Sequence, residues 1–242
     1  MPNILGINLS GGDEELALKK VQEFLNSDSL HYAVTPNPEI ILLSQLDSEF
    51  AEILNKADLS LADGFGLKIA GFITKQKITR ITGADLSLKI LALAEKQTKK
   101  VAIINWEKGL SSGVEIKQAL QKKYPQLRCL VIDVPRAVNL ESDKQDILNN
   151  FAPKIVFTTL GFPYQEKIIF NNLNNWPSVR LAIGVGGTFD FITKKAQRAP
   201  KVMRKAGLEW LWRLGKQPRR LGRIYRATFI FMSKILLKNN QK

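Results

Sequence analysis

Seven short β-branched or apolar runs alternate with longer stretches of helical periodicity, and this alternation confines the chain to βαβ units around a mostly parallel sheet. The runs are residues 3–7, 31–35, 59–62, 101–105, 128–132, 155–160 and 179–185. Two helix starts follow strands directly. Asn37-Pro38 offers a capping side chain and then a proline at the first helical position, and Phe162-Pro163 opens a turn in the same way. No internal repeat is present. At 242 residues and 45% hydrophobic content, the chain can bury one sizeable α/β core without disulfide or metal support. Cys129 is the only cysteine, which excludes an intrachain disulfide and a cysteine-based metal cluster, fits a reducing cytoplasmic compartment, and reads as a small core residue.

Charge divides the chain in two. Residues 1–193 hold 21 basic and 21 acidic side chains, whereas residues 194–242 hold 15 basic residues and a single acid, Glu209. The tail therefore carries the whole net charge of +14. We expect a core over 1–193 and a basic helical appendage over 194–242. The appendage reads as two amphipathic helices separated near Gly215 and Pro218, with Trp210, Trp212 and Tyr225 among arginines, a composition that suits a lipid headgroup layer. The same pattern also describes helices packed on their own core with a solvated basic face. Residues 1–7 do not read as a secretory signal, and the longest apolar run, 227–237, is too short to span a bilayer.

Polar groups gather just past the carboxyl ends of four expected strands, where open parallel sheets bind ligands. The segments are Thr35-Pro36-Asn37-Pro38, Asp63-Gly64-Phe65-Gly66, Gly161-Phe162-Pro163-Tyr164-Gln165-Glu166 and Gly184-Val185-Gly186-Gly187-Thr188-Phe189-Asp190. Asp63 before two glycines suits a general base emerging into a crevice, and equally suits a turn or helix cap. Gly184, Gly186 and Gly187 lead into a helix and can present N–H groups to a diphosphate, but their spacing is not the dinucleotide fingerprint. Thr35, Asn37 and Gln165 have plain roles too, as a strand end, a cap and a solvated helix residue. Arg80 can neutralise a phosphate or pair with Asp85. His31, the only histidine, reads as structural, and no Asp-x-Asp pair supports a metal-held diphosphate, so we expect no cofactor and no metal.

Taken in order, these motifs resemble the WecG/TagA/CpsF glycosyltransferases. The resemblance runs from Ile4-Leu5-Gly6-Ile7 and Val34-Thr35-Pro36-Asn37-Pro38-Glu39 through Ala57-Asp58-Leu59-Ser60-Leu61-Ala62-Asp63-Gly64, Arg80-Ile81-Thr82-Gly83-Ala84-Asp85-Leu86 and Gly161 to Lys167. It continues over Gly184 to Asp190, Arg198-Ala199-Pro200, Gly207 to Leu214 and Gln217-Pro218-Arg219-Arg220. It implies a Rossmann-like sheet flanked by helices. It also implies transfer of N-acetylmannosamine or a related sugar, with inversion, from a UDP-sugar to N-acetylglucosamine on undecaprenyl diphosphate. Such transfer serves cell-surface polysaccharide or teichoic acid linkage-unit synthesis, peripherally on the inner face of the membrane.

By the same resemblance Asp63 is the catalytic base. Thr35, Asn37, Arg80, Gln165 and Asp190 belong to the sugar nucleotide pocket, and Arg213, Arg219, Arg220 and Arg223 meet the acceptor and an anionic membrane surface. The turn Asn105-Trp106-Glu107-Lys108-Gly109 departs from the family's usual glycine-rich turn and leaves donor identity open. Two other classes compete. A nucleic-acid-binding protein would use the basic tail but leaves Asp63 and Gln165 without a task, so no nucleic acid is expected. A non-catalytic partner-binding module is compatible with the altered turn, and self-association into a homo-oligomer is compatible with the sequence.

Overall fold

The computed structural model describes residues 1–205, 207–216 and 221–239. Eight strands are present among them: β1 (Asn3–Ile4), β2 (Ile7–Asn8), β3 (His31–Val34), β4 (Leu59–Ser60), β5 (Val101–Trp106), β6 (Cys129–Val134), β7 (Ile155–Thr158) and β8 (Leu181–Gly184). β3 to β8 form one six-stranded parallel sheet in the order β4-β3-β8-β7-β5-β6. The helices up to residue 192 are α1 (Glu14–Leu25), α2 (Pro38–Ser44), α3 (Ser48–Asn55), α4 (Phe65–Ile73), α5 (Gly83–Lys96), α6 (Gly113–Lys123), α7 (Ser142–Phe151), α8 (Tyr164–Asn171) and α9 (Thr188–Ile192).

Central strands of such a sheet are covered on both faces, which explains why they read as unbroken apolar runs. Successive residues of β5 show the division. Val101 and Ile103 join a core with α1, α5 and α6, while Ala102 and Ile104 join one with α2, α3 and α8. The fold class expected from the alternation is thus the observed one.

Three expectations need correction. Residues 3–7 are not one strand: Leu5 and Gly6 adopt φ of 50° and 87°, and the chain folds back as an antiparallel β1–β2 hairpin. The Asn3 side chain accepts from the Gly6 N–H at 3.0 Å and closes that turn. Cys129 is only half-buried, because β6 is the sheet's edge strand. Of the two expected tail helices, the first is divided into α10 (Lys201–Lys205) and α11 (Glu209–Lys216), whereas the second is one unbroken helical stretch made of α12 (Leu221–Tyr225), a π-helical turn (Arg226–Ile230) and α13 (Phe231–Asn239). Gly207, at φ 78°, breaks the first amphipathic pattern where a Cβ would collide with the Phe65 ring. The expected separation at Pro218 lies outside the described residues.

Phe231 and Ile235 of α13 are buried in the α2–α3–α8 core layer, whereas Leu221, Tyr225, Phe229 and Leu237 remain exposed. No described helix is long and apolar enough to cross a membrane.

Candidate active site

The carboxyl ends of the parallel strands open into a cavity of about 490 Å³. Thr35, Asn37, Asp63, Gln165, Gly186, Gly187 and Asp190 all line it, so residues spread over 156 positions of sequence meet in one place. The tail supplies a wall through Ala196, Gln197 and Trp212.

Asp63 leaves the end of β4 with its own N–H donated to the Pro36 carbonyl at 2.8 Å. Its Oδ2 accepts from the Gly83 N–H at 3.3 Å, and Gly64, at φ 102°, turns the chain into α4 without a side chain that would cover the carboxylate. The Asp63 side chain does not cap α4; the N-terminal position is Gly64. Asn37 does serve as a cap, its Oδ1 accepting from the N–H groups of Glu39 and Ile40 at 2.9 and 3.1 Å, while still facing the cavity. Buried Thr35 donates its hydroxyl to the Gly184 carbonyl at 3.1 Å, tying β3 to the end of β8.

Gln165 differs from the solvated residue its position in a first helical turn suggests. It is 3% exposed, its Oε1 takes the Gly186 N–H at 3.0 Å, and its Nε2 donates to Glu166 Oε1 at 2.7 Å. The amide rests on Gly184, where a Cβ would come within 2.8 Å of Nε2. Gly184 therefore lies beneath the lining, and the Gly186 N–H serves Gln165. Glu166 is fully buried, and its Oε2 has no hydrogen-bond partner. Burial pushes its carboxyl up to about 7, with the hydrogen bond from Gln165 opposing.

On the opposite wall, Asp190 Oδ1 accepts from the Ser111 hydroxyl at 2.7 Å. The unusual turn after β5 is fastened by Asn105, whose Nδ2 donates to the Ser111 carbonyl at 3.0 Å and to Asp133 Oδ1 at 2.7 Å. Its Oδ1 accepts from the Thr159 hydroxyl at 2.8 Å. That turn puts Trp106, Gly109 and Leu110 on the cavity wall. Beside them lies Arg136, just past the end of β6, a residue that sequence reasoning passed over. The strand-end rule that singled out Asp63 applies equally to Arg136 and would have found it.

Arg80 is not part of the cavity lining. Its Nη2 pairs with Glu209 Oε2 at 2.9 Å and its Nη1 donates to the Arg204 carbonyl at 3.0 Å, so it holds the tail against the core. Asp85, the partner considered for it, is instead engaged by both Nη groups of Arg198 at 2.7 and 3.0 Å. Burial works against ionisation of Asp85, but the Arg198 and Thr82 hydrogen bonds outweigh it and hold the carboxyl below the usual range. His31 has the structural role expected of it, stacked on Phe24 with ring centroids 4.3 Å apart and Nδ1 3.1 Å from Asp58. No group of three or more metal-ligating side chains occurs among the described residues. Arg213 and Arg223 fall on α11 and α12, and Arg219 and Arg220 lie outside the described residues.

The arrangement is a polar cleft lined by the Asp63 and Asp190 carboxylates together with strand-end amides and hydroxyls. Known proteins resemble this chain over most of its length. A protein from Staphylococcus aureus (strain MW2) is 30% identical over 241 residues, covering 96% of this chain and 91% of the relative. One from Staphylococcus aureus (strain MRSA252) is 29% identical over 237 residues, with the same coverage. Another from Bacillus subtilis (strain 168) is 30% identical over 194 residues, covering 78% and 73%. All three bear the name N-acetylglucosaminyldiphosphoundecaprenol N-acetyl-beta-D-mannosaminyltransferase. The family model for the glycosyl transferase WecG/TagA/CpsF family matches residues 2–242, and the chain accordingly belongs to that family of glycosyltransferases.

Proposed function

We propose that this glycosyltransferase moves N-acetylmannosamine or a related sugar from a UDP-sugar to N-acetylglucosamine carried on undecaprenyl diphosphate, with inversion and without a metal ion. The observation that carries this reading is the carboxylate of Asp63 sharing one cleft with Thr35, Asn37, Gln165 and Asp190 at the carboxyl ends of a parallel sheet. The names of the relatives supply the acceptor and the sugar. Asp63 takes the proton of the acceptor hydroxyl as its oxygen attacks the anomeric carbon, and the nucleotide leaves from the opposite face.

In this reading residues 1–193 form the catalytic core and residues 194–242 a basic appendage that rests on the inner face of the cell membrane. Exposed Leu221, Tyr225, Phe229 and Leu237, set among the tail's cations, suit an interfacial position. The arginines at 213, 219, 220 and 223 would there meet acceptor diphosphate and anionic headgroups.

The test supplies UDP-N-acetylmannosamine and a synthetic polyprenyl-diphosphate-linked N-acetylglucosamine, and detects the disaccharide by mass spectrometry. Asp63→Asn keeps the shape and removes the basicity. It should bind donor normally while turnover falls ~10²–10⁴-fold. Turnover within twofold of the unsubstituted protein would remove Asp63 from the mechanism.

A further inference from the structure

We propose that Arg136 receives the diphosphate of the sugar nucleotide, the leaving group of the transfer; this rests on the donor reading above. Among the described residues lining the cavity, Arg136 is the only cation. Arg80, the arginine expected from the sequence to serve this purpose, is engaged by Glu209 and the Arg204 carbonyl instead.

The Arg136 guanidinium is held in a definite pose. Its Nε donates to the Leu160 carbonyl at 2.7 Å, and its plane covers Trp106 with Cζ 3.7 Å from the ring centroid. Its Nη2 passes over Gly161, where a Cβ would stand only 3.3 Å away and where φ of 74° favours glycine. With Nε and one face engaged, the Nη edge is the part of the fork left to grip two oxygens of one anion. That planar, preset edge is what distinguishes arginine from lysine at phosphates.

The location also matches the chemistry. Arg136 follows β6, but its bond to Leu160 carries the guanidinium back over the end of β7. β7 lies three strands from β4, which bears Asp63, and three intervals of roughly 4.8 Å make about 14 Å. An inverting displacement needs its base and its leaving phosphates on opposite sides of the sugar ring, and that span leaves room between the two side chains for the ring and the phosphates. In the step, the acceptor oxygen bonds to the anomeric carbon as the bond from that carbon to the phosphate oxygen breaks. The electron pair leaves with the UDP diphosphate, where the Nη donors meet it, and the acceptor proton passes to Asp63.

Isothermal titration of the full chain with UDP and with uridine tests the assignment. Arg136→Ala should weaken UDP binding at least tenfold while uridine binding stays within twofold. Arg136→Lys, which keeps the charge and loses the fork, should fall between. UDP binding by Arg136→Ala within twofold of the unsubstituted protein would overturn the assignment and leave a surface arginine that merely covers Trp106. Equal losses for UDP and uridine would overturn it too, by making Arg136 a platform for the nucleoside. If the unsubstituted protein binds neither UDP nor UDP-sugars, the donor reading itself fails and takes this proposal with it.

Discussion

Replacing Glu166 by Gln should make the protein more stable in alkaline solution and leave it nearly unchanged in acid. The carboxyl is fully buried and raised from 4.5 to about 7 by loss of water. A group that holds its proton more tightly when folded contributes stability that is lost as pH rises between the unfolded and folded values, here from about 4.5 to about 7. At 1.36 kcal/mol per tenfold change in proton affinity, the loss above that window is about 3 kcal/mol. Gln cannot ionise, and its carbonyl still accepts from Gln165 Nε2, as Glu166 Oε1 does at 2.7 Å. Urea unfolding at pH 5 and pH 8 isolates the effect, because every other titrating group is common to both proteins. The variant should gain about 3 kcal/mol over the parent at pH 8 and less than about 1 kcal/mol at pH 5. Parallel stability curves across that range would refute the premise that an ionised carboxylate is being held in a dry site.

Gly184→Ala should disturb the same network sterically. Its new Cβ would meet the Gln165 amide at 2.8 Å, so Gln165 must give up the Gly186 N–H, and unfolding should occur about 1–3 kcal/mol more readily alongside a donor KM raised by roughly tenfold. Glu209→Gln should loosen the tail, since the Arg80 pair is largely shielded, with side-chain exposures of 17% and 12%, and cutting one partner out of such a pair costs about 3 kcal/mol. Limited trypsin digestion should then cleave beyond residue 194 faster while the 1–193 fragment survives at its former rate; unchanged cleavage would show that the tail is held by other contacts.

The sheet was legible because its strands are buried on both faces. Val101 to Ile104 and Ile155 to Phe157 read as unbroken apolar runs with no alternative use. Asn37-Pro38 was legible because capping is local chemistry, settled within three residues. Asp63, Gln165 and Asp190 could be placed at strand ends, and strand ends of a parallel sheet converge. What the sequence hid depends on distant partners. Arg80 meets Glu209 across 129 positions, and nothing local separates that pairing from one with Asp85. Glu166 looked like an ordinary first-turn acid, and only the packing of α8 against β8 puts it out of reach of water. The Asn3–Ile7 error was a period error, because a five-residue stretch holding Ile4, Leu5 and Ile7 fits a strand and a two-residue turn equally well until the backbone signs at Leu5 and Gly6 are known.

The chain leading into α5, together with the first turn of that helix, faces two ways. The Gly83 N–H touches Asp63, while Arg80 and Asp85, three positions to one side and two to the other, grip Glu209, Arg198 and Arg204. A lineage that remodels this stretch to suit a new acceptor therefore has to rewrite matching letters more than a hundred residues downstream. An Asp85 exchange alone would strand two guanidinium groups, so chimeras that swap the tail between relatives should carry this stretch along with it.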